Sequence, residues 1–216
     1  MCREFILIFH CLLLFLFSEL YLNMNTNKSS IVQQLSEKIS TLNDNSVDKL
    51  ASILVRVELK KNECFLKEGD VADSVYFVHS GLIRQFYYKN GKDFTEHLAC
   101  EGNVFMNIES YLLQTPTYLF IEALEPTVLY GIPYKEIVAL MDEYPDISVL
   151  YRKIIEQVLL KVQRKIDSFR FENANERYRR LLRERPEIVR RVPLIHIASY
   201  LLMTPETLSR VRSSIL

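Results

Sequence analysis

The sequence predicts an α+β protein: a β domain of sandwich or barrel type, then one long helix, then a C-terminal helix pair. Three observations predict it. Between Val55 and Ile132, short β-branched and aromatic runs alternate with turn signals, and four of the five glycines (Gly69, Gly81, Gly91 and Gly102) fall in those turns. Ile147, Tyr151, Ile154, Val158, Val162, Ile166 and Phe169 then recur every three or four residues, which lays one apolar stripe along a helix of about six turns. Finally "HIASYLLMTPETLSRVR", His196 to Arg212, reads as two short helices around a tight turn.

The chain opens on "FILIFHCLLLFLF", Phe5 to Phe17, apolar but for His10. A membrane span needs about 20 apolar residues, and this run is shorter. A single basic residue, Arg3, precedes it, and no small-x-small cleavage site follows. Met24 then begins a polar stretch. The expectation is that residues 1–23 extend the reading frame ahead of a natural start at Met24, with a secretory signal or a membrane anchor as the alternatives. Past Met24, Ile31, Leu35, Ile39 and Leu42 recur at helix spacing, and Asn45 or Ser46 offers the cap of a second short helix.

The strand-like runs are "VRVEL", "CFL", "SVYFV", "LIRQFYY", "FTEHLA", "YLFIEALE" and "VLYGI". Asn90-Gly91 joins two of them and predicts a two-residue hairpin, because both central positions of that turn require positive φ. "YKEIVALMDEY" is a helix stopped near Pro145. The long stripe that follows has a second apolar file (Leu150, Ile155, Leu159). Part of it must pack on the chain's own β domain; a helix of that length with charges between its apolar positions is expected to pair with its copy in a dimer. "NANERYRRLLRERPEIVRRVP" is a basic helical segment, broken at Pro186 and ended at Pro193. The expected organisation is therefore a leader at residues 1–23, a β domain at 24–140, a dimerisation helix at 141–172 and a C-terminal domain at 173–216.

The formal net charge is zero, but it is unevenly spread: residues 173–216 hold nine arginines against four glutamates, a surplus of five. A solvated helix surface and a polyanion partner explain that surplus equally well on charge alone. Cys2, Cys11, Cys64 and Cys100 form no C-x-x-C pair, and no histidine stands at zinc-ligand spacing from them. No metal site or cofactor is expected, and scattered cysteines of this kind suit a reducing, cytoplasmic setting.

In the closing stretch, Thr204 suits an N-cap and Pro205 the first helical position, where a missing N–H costs nothing. Ile197, Leu201, Met203, Leu208 and Val211 would form the shared core, with the small Ala198 at the helix crossing. In a helix-turn-helix the second helix enters the DNA major groove, N-terminal residues first. Pro205, Glu206, Ser209, Arg210 and Ser213 then face outward. Arg210 can bond a guanine edge in bidentate fashion and Glu206 can accept from a cytosine amino group. Thr204, Thr207, Arg212 and Ser213, with Arg190 and Arg191 upstream, can bond phosphates. A helical hairpin in which Glu206 and Arg210 form a surface i, i+4 pair is the competing reading.

Taken together, "FLKEGD", "VYFVHSGLIRQFYY", "NGK", "EALE", "ERYRRLL", "RVPLIHIASYL" and "TPETLSRVR" resemble the Crp/Fnr transcription regulators over about residues 27–212, most closely their short Bacteroidetes form. The resemblance implies a double-stranded β-roll of the cyclic-nucleotide-binding jelly-roll type, a dimerisation helix and a helix-turn-helix. It places Glu206, Ser209 and Arg210 at the base-reading positions, and it implies double-stranded DNA and a second copy of the chain as partners. It also admits RNA polymerase as a partner and leaves the effector open.

Three departures bear on function. Nucleotide-binding members carry a Gly-Glu pair and an Arg-Ser or Arg-Thr pair around the cyclic phosphate. Met106-Asn107 and Thr117-Tyr118 stand there, and no lysine or arginine occurs from Asp93 to Tyr134. An anion there would lack a local cation, so cAMP and cGMP are not expected as ligands. Phe105, Tyr111, Tyr118 and Phe120 are the candidate lining of an apolar ligand pocket, unless they are core. Leu202 occupies a turn position often held by glycine, where positive φ would strain a leucine by about 1 kcal/mol. No wing is expected beyond the helix pair, so the upstream arginines are expected to carry more of the phosphate contacts.

No P-loop, G-x-S-x-G or H-E-x-x-H occurs, and His10, His79, His97 and His196 are isolated in sequence, so an enzyme is the least supported reading. His196 is expected to be a surface or backbone-contact residue. The alternative to a DNA-binding regulator is a sensor module without DNA activity, held at a membrane if the leader is genuine. For a twofold dimer reading a near-palindromic operator, the two recognition helices would sit about 34 Å apart.

Overall fold

A computed structural model describes residues 28–215. The expected leader at residues 1–23 and the expected start at Met24 lie outside the described residues. Among those described, no helix is long and apolar enough to cross a membrane.

The chain divides into two compact units. The first holds α1 (residues 28–38), α2 (Asp44–Ile53), most of α4 (Tyr134–Glu143) and the start of α5 (Pro145–Phe171). The cap of α2 is Asn43, not Asn45 or Ser46: its side chain accepts from the Ser46 amide at 2.9 Å, which places Ser46 inside the helix. Asp146, in the first turn of α5, accepts from the Asn43 amide at 3.0 Å, the Asn43 side chain at 2.8 Å and the Ser46 hydroxyl at 2.7 Å. Burial opposes ionisation of this carboxyl, but the hydrogen bonds from Asn43, Ser46 and Ile147 outweigh it and hold its pKa below the ordinary range. One carboxylate thus serves the N-termini of two helices, where negative charge is favoured.

The second unit is the β-roll with the rest of α5 and all that follows. Its strands are β1 (Val55–Leu59), β2 (Cys64–Leu66), β3 (Ser74–Ser80), β4 (Leu82–Lys89), β5 (Lys92–Cys100), β6 (Val104–Phe105), β7 (Phe120–Ala123) and β8 (Thr127–Pro133). They form two antiparallel sheets, β1-β8-β3-β6 and β2-β7-β4-β5. The β4–β5 turn is the expected hairpin, with φ of 52° at Asn90 and 72° at Gly91. Leu66, Val78, Ile83, Phe105, Ile121 and Leu129 form the core of the roll. A short helix, α3 (Ile108–Leu113), follows β6.

Strand β5 ends its sheet, so one row of its backbone groups needs other partners. Helix α5 and the C-terminal segment supply them; the helices of that segment are α6 (Ala174–Glu184), α7 (Pro186–Arg191), α8 (Leu194–Tyr200) and α9 (Pro205–Ile215). The Thr95 amide donates to the Ser199 hydroxyl at 2.8 Å, Arg185 donates to the Leu98 carbonyl at 2.9 Å, and Lys165 donates to the Glu96 carbonyl. Leu82, Leu98 and Cys100 of the roll share one buried cluster with Tyr178, Ile188, Ile197 and Leu208.

At this contact Arg84 of β4 is buried and fully engaged. Its guanidinium bonds Glu122 at 2.7 Å, Asp93 at 3.1 Å and Thr95 at 3.2 Å, and its carbon lies 4.0 Å from the centre of the Phe86 ring. Its remaining contact is Nδ1 of His196 on α8, at 2.7 Å. His196 is therefore not a surface or backbone-contact residue but the partner of a buried cation.

Gly69 and Gly81 both have positive φ, yet a methyl group at Gly69 meets nothing within 4 Å while one at Gly81 meets Thr127 Oγ1 at 2.3 Å and the Pro126 carbonyl at 2.6 Å. In urea unfolding, Gly69→Ala is expected to cost about 1–2 kcal/mol for the left-handed backbone. Gly81→Ala is expected to cost about 1–3 kcal/mol more from overpacking.

Candidate nucleic-acid interface

The α8–α9 pair has the geometry the sequence implied. Ile197, Ala198, Leu201, Leu208 and Val211 are buried and Met203 packs against them. The turn closes through hydrogen bonds from the Leu202 amide to the Ser199 carbonyl and from the Met203 amide to the Ala198 carbonyl, both 3.0 Å. Leu202 adopts φ 51°, the left-handed conformation expected there, with an exposed side chain. Thr204 caps α9: its hydroxyl oxygen accepts from the Thr207 amide at 3.2 Å.

Over this buried face, Glu206, Ser209 and Arg210 are all exposed on α9. A hydrogen bond from Thr204, then the helix N-terminus and Arg210, lowers the Glu206 pKa, which keeps it an ionised acceptor at neutral pH. Thr204 and Ser213 are exposed as well, and Thr207 is half-buried with its hydroxyl 3.2 Å from that of Thr204. Ser213 donates to the Ser209 carbonyl at 3.1 Å. Arg212 is half-buried, and its Nε has no hydrogen-bond partner among the described residues.

The basic surplus of the C-terminal region divides into structural and free charge. Arg191 bonds Glu101 at 2.7 and 2.8 Å and also pairs with Glu125, so the roll takes up a side chain expected to contact phosphate. The bonds from Arg191, ahead of the opposing effect of burial, hold the Glu101 carboxyl at a pKa of about 2. Arg180 is paired with Glu172, and Arg185 is held by Leu98, Asn103 and Glu187. Arg177 was not singled out in the sequence. It donates to the Leu201 carbonyl at 2.9 Å and the Glu172 carbonyl at 2.7 Å, tying the end of α8 to the end of α5. Arg179, Arg190 and Arg210 are exposed.

The apolar stripe of α5 changes character along its length. Ile147, Ile154 and Val158 are buried and Tyr151 is half-buried, whereas Leu159, Leu160, Val162 and Ile166 are 52%, 55%, 39% and 38% exposed. The C-terminal half of the stripe thus presents an uncovered apolar strip.

The four candidate pocket aromatics do not come together. Phe105 stacks on Tyr76, Tyr111 meets Tyr134 edge-on, Tyr118 meets Tyr87 and is 55% exposed, and Phe120 stacks on Phe86. Where the cyclic phosphate would sit, Asn107 donates to Thr117 Oγ1, which also accepts from the Leu119 amide at 2.9 Å. Ser110 donates to the Thr115 carbonyl at 2.6 Å and accepts from the Ala72 amide at 2.9 Å. The side chains of Asn107, Ser110 and Thr117 are thus engaged within this region.

The family described as the cyclic nucleotide-binding domain matches residues 56–144. The fold extends the match beyond that domain. The catabolite activator protein of Thermus thermophilus is 22% identical with a TM-score of 0.52, over 84% of this chain and 86% of that one. A protein from Eubacterium rectale assigned to the Crp/Fnr family of transcriptional regulators is 18% identical with a TM-score of 0.60, over 81% and 83%. Residues 56–144 thus match the cyclic nucleotide-binding domain, and the described chain shares its fold with these two proteins. The c-di-GMP-responsive regulator CLP of Xanthomonas campestris shares that fold at 16% identity and a TM-score of 0.62, over 80% of this chain and 91% of its own. None of the curated proteins matches the chain by sequence.

In the α8–α9 turn, relief of strain at Leu202 offsets the added freedom of an unfolded glycine, so Leu202→Gly is expected to leave stability within about 1 kcal/mol. Leu202→Ile puts a β-branched side chain at positive φ and is expected to cost about 1–2 kcal/mol, measured by urea unfolding.

Proposed function

We propose that the chain is a DNA-binding regulator of transcription, a homodimer that reads a near-palindromic operator through α9 and carries a β-roll that does not bind cAMP. One observation carries the reading: an acid, a hydroxyl and a guanidinium (Glu206, Ser209, Arg210) stand exposed on one face of a helix whose opposite face, Leu208 and Val211, is buried. That is the arrangement a recognition helix needs in a major groove. The uncovered strip Leu159–Val162–Ile166 on α5 suits a second copy of the helix. The Crp/Fnr-type fold supports both features. A cyclic phosphate there would find no local lysine or arginine, and the side chains of Asn107, Ser110 and Thr117 are already engaged.

Gel-shift titration against the chain's own promoter fragments tests the DNA reading. Arg210→Ala is expected to weaken specific binding by about 1–3 kcal/mol and to relax one base position; an unchanged curve contradicts it. Arg190→Ala is expected to reduce the slope of log affinity against log salt by about 1, while Arg191→Ala, whose side chain is held by Glu101 and Glu125, leaves that slope unchanged. Calorimetric titration with cAMP is expected to show no heat of binding at micromolar concentrations, and saturable binding there contradicts the reading of the roll.

A further inference from the structure

Two of the three histidines among the described residues lie where the C-terminal helices meet the edge of the roll, and each faces positive charge. His196 Nδ1 stands 2.7 Å from an Arg84 nitrogen. A guanidinium nitrogen can only donate, so this ring nitrogen must carry a lone pair and the neutral ring must hold its proton on Nε2. The other charged groups facing His196 are Asp93 of β5 and Glu122 of β7, and both already accept from Arg84, at 3.1 and 2.7 Å. A proton on Nδ1 would set an N–H against a guanidinium whose carboxylate partners are in use.

His97 lies on β5, the strand beside Arg84's β4. It lies between Glu96 and Leu98, whose carbonyls receive Lys165 of α5 and Arg185. Burial first, then Arg185, Lys165 and Lys161, hold the His97 ring well below its ordinary pKa. Burial and then Arg84 lower that of His196 against the opposing pull of Asp93 and Glu122. Two acids also stand at this contact. Glu187 lies 3.6 Å from Arg185, and Glu96 keeps one buried oxygen without a hydrogen-bond partner among the described residues.

We propose that His196 and His97 form a proton-sensitive latch, which holds α8 and the α6–α7 segment on the edge of the β-roll at neutral pH and releases them on acidification. A ring that must stay neutral when docked but can protonate when released favours release as pH falls. The contact is whole above the ordinary histidine value of about 6.5 and is lost progressively below it. The docked edge is in turn what holds the helix-turn-helix to the domain that would govern it, so the latch couples proton concentration to the freedom of α8 and α9. This inference rests on the docked contact alone and is independent of the DNA reading.

The test uses the full chain without DNA. Hydrogen exchange of the 92–100 segment, which contains the Thr95 amide held by Ser199, is followed from pH 7.5 to 5.5 and corrected for the intrinsic rate, with the 127–133 segment as internal reference. Exchange of 92–100 is expected to rise by up to about tenfold per histidine at pH 5.5, one unit below the ordinary value, while the reference stays flat. In the double variant H196Q/H97Q, whose amides accept or donate without titrating, that rise is expected to vanish. A pH-independent 92–100 segment in the wild type, or an undiminished rise in the double variant, overturns the latch. Should the double variant fail to fold, the wild-type His196 ring titration by NMR decides: a midpoint below about 6.5 supports the latch, and one at or above it overturns it.

Discussion

The fold depends on how the free edge of β5 is covered. A strand that ends a sheet leaves half its backbone donors and acceptors without a ladder partner, and it can recruit another chain unless something shields it. Here the shield is the chain's own α5 and C-terminal helices. Ser199, Lys165 and Arg185 supply side-chain partners to Thr95, Glu96 and Leu98, and the apolar faces of α6 to α9 close over Leu82, Leu98 and Cys100. Arg84 makes that contact selective. A buried guanidinium is tolerable only while its donors are met, and Glu122, Asp93, Thr95 and His196 meet them. Loss of α8 from the edge would uncover a backbone row and leave Arg84 one partner short.

Local signals made much of this legible. Asn90-Gly91 fixed a hairpin because few other pairs accept two left-handed residues, and Thr204-Pro205 marked the start of α9 because a cap and a residue without an N–H belong there. The turn at Leu202 was legible from spacing alone, against the residue's own preference: the packing of Ile197 and Leu201 against Leu208 fixes the turn, and the backbone accepts the strain.

What stayed hidden was non-local. Arg191 and Arg190 are neighbours and read alike, but Glu101 and Glu125, far away in sequence, claim the first and leave the second exposed. His196 and Arg84 are 112 residues apart, and nothing near either one announces the other. The aromatics Phe105, Tyr111, Tyr118 and Phe120 looked like one pocket because sequence gives composition and not direction; the fold sends their rings to four different neighbours. In the region where a cyclic phosphate would sit, the missing basic residues were visible in the sequence. The closed network of Asn107, Ser110 and Thr117 in their place was not.

Because the roll and the C-terminal helices share one buried cluster, they should fold as one cooperative body rather than as two domains joined by a linker. Urea unfolding followed by methyl NMR at two reporters, Ile83 inside the roll and Ile197 inside the helix pair, tests this directly. The account predicts coincident midpoints and slopes at both methyls. An Ile197 transition complete while Ile83 remains native would show that the helices do not depend on the β5 edge, and would contradict it.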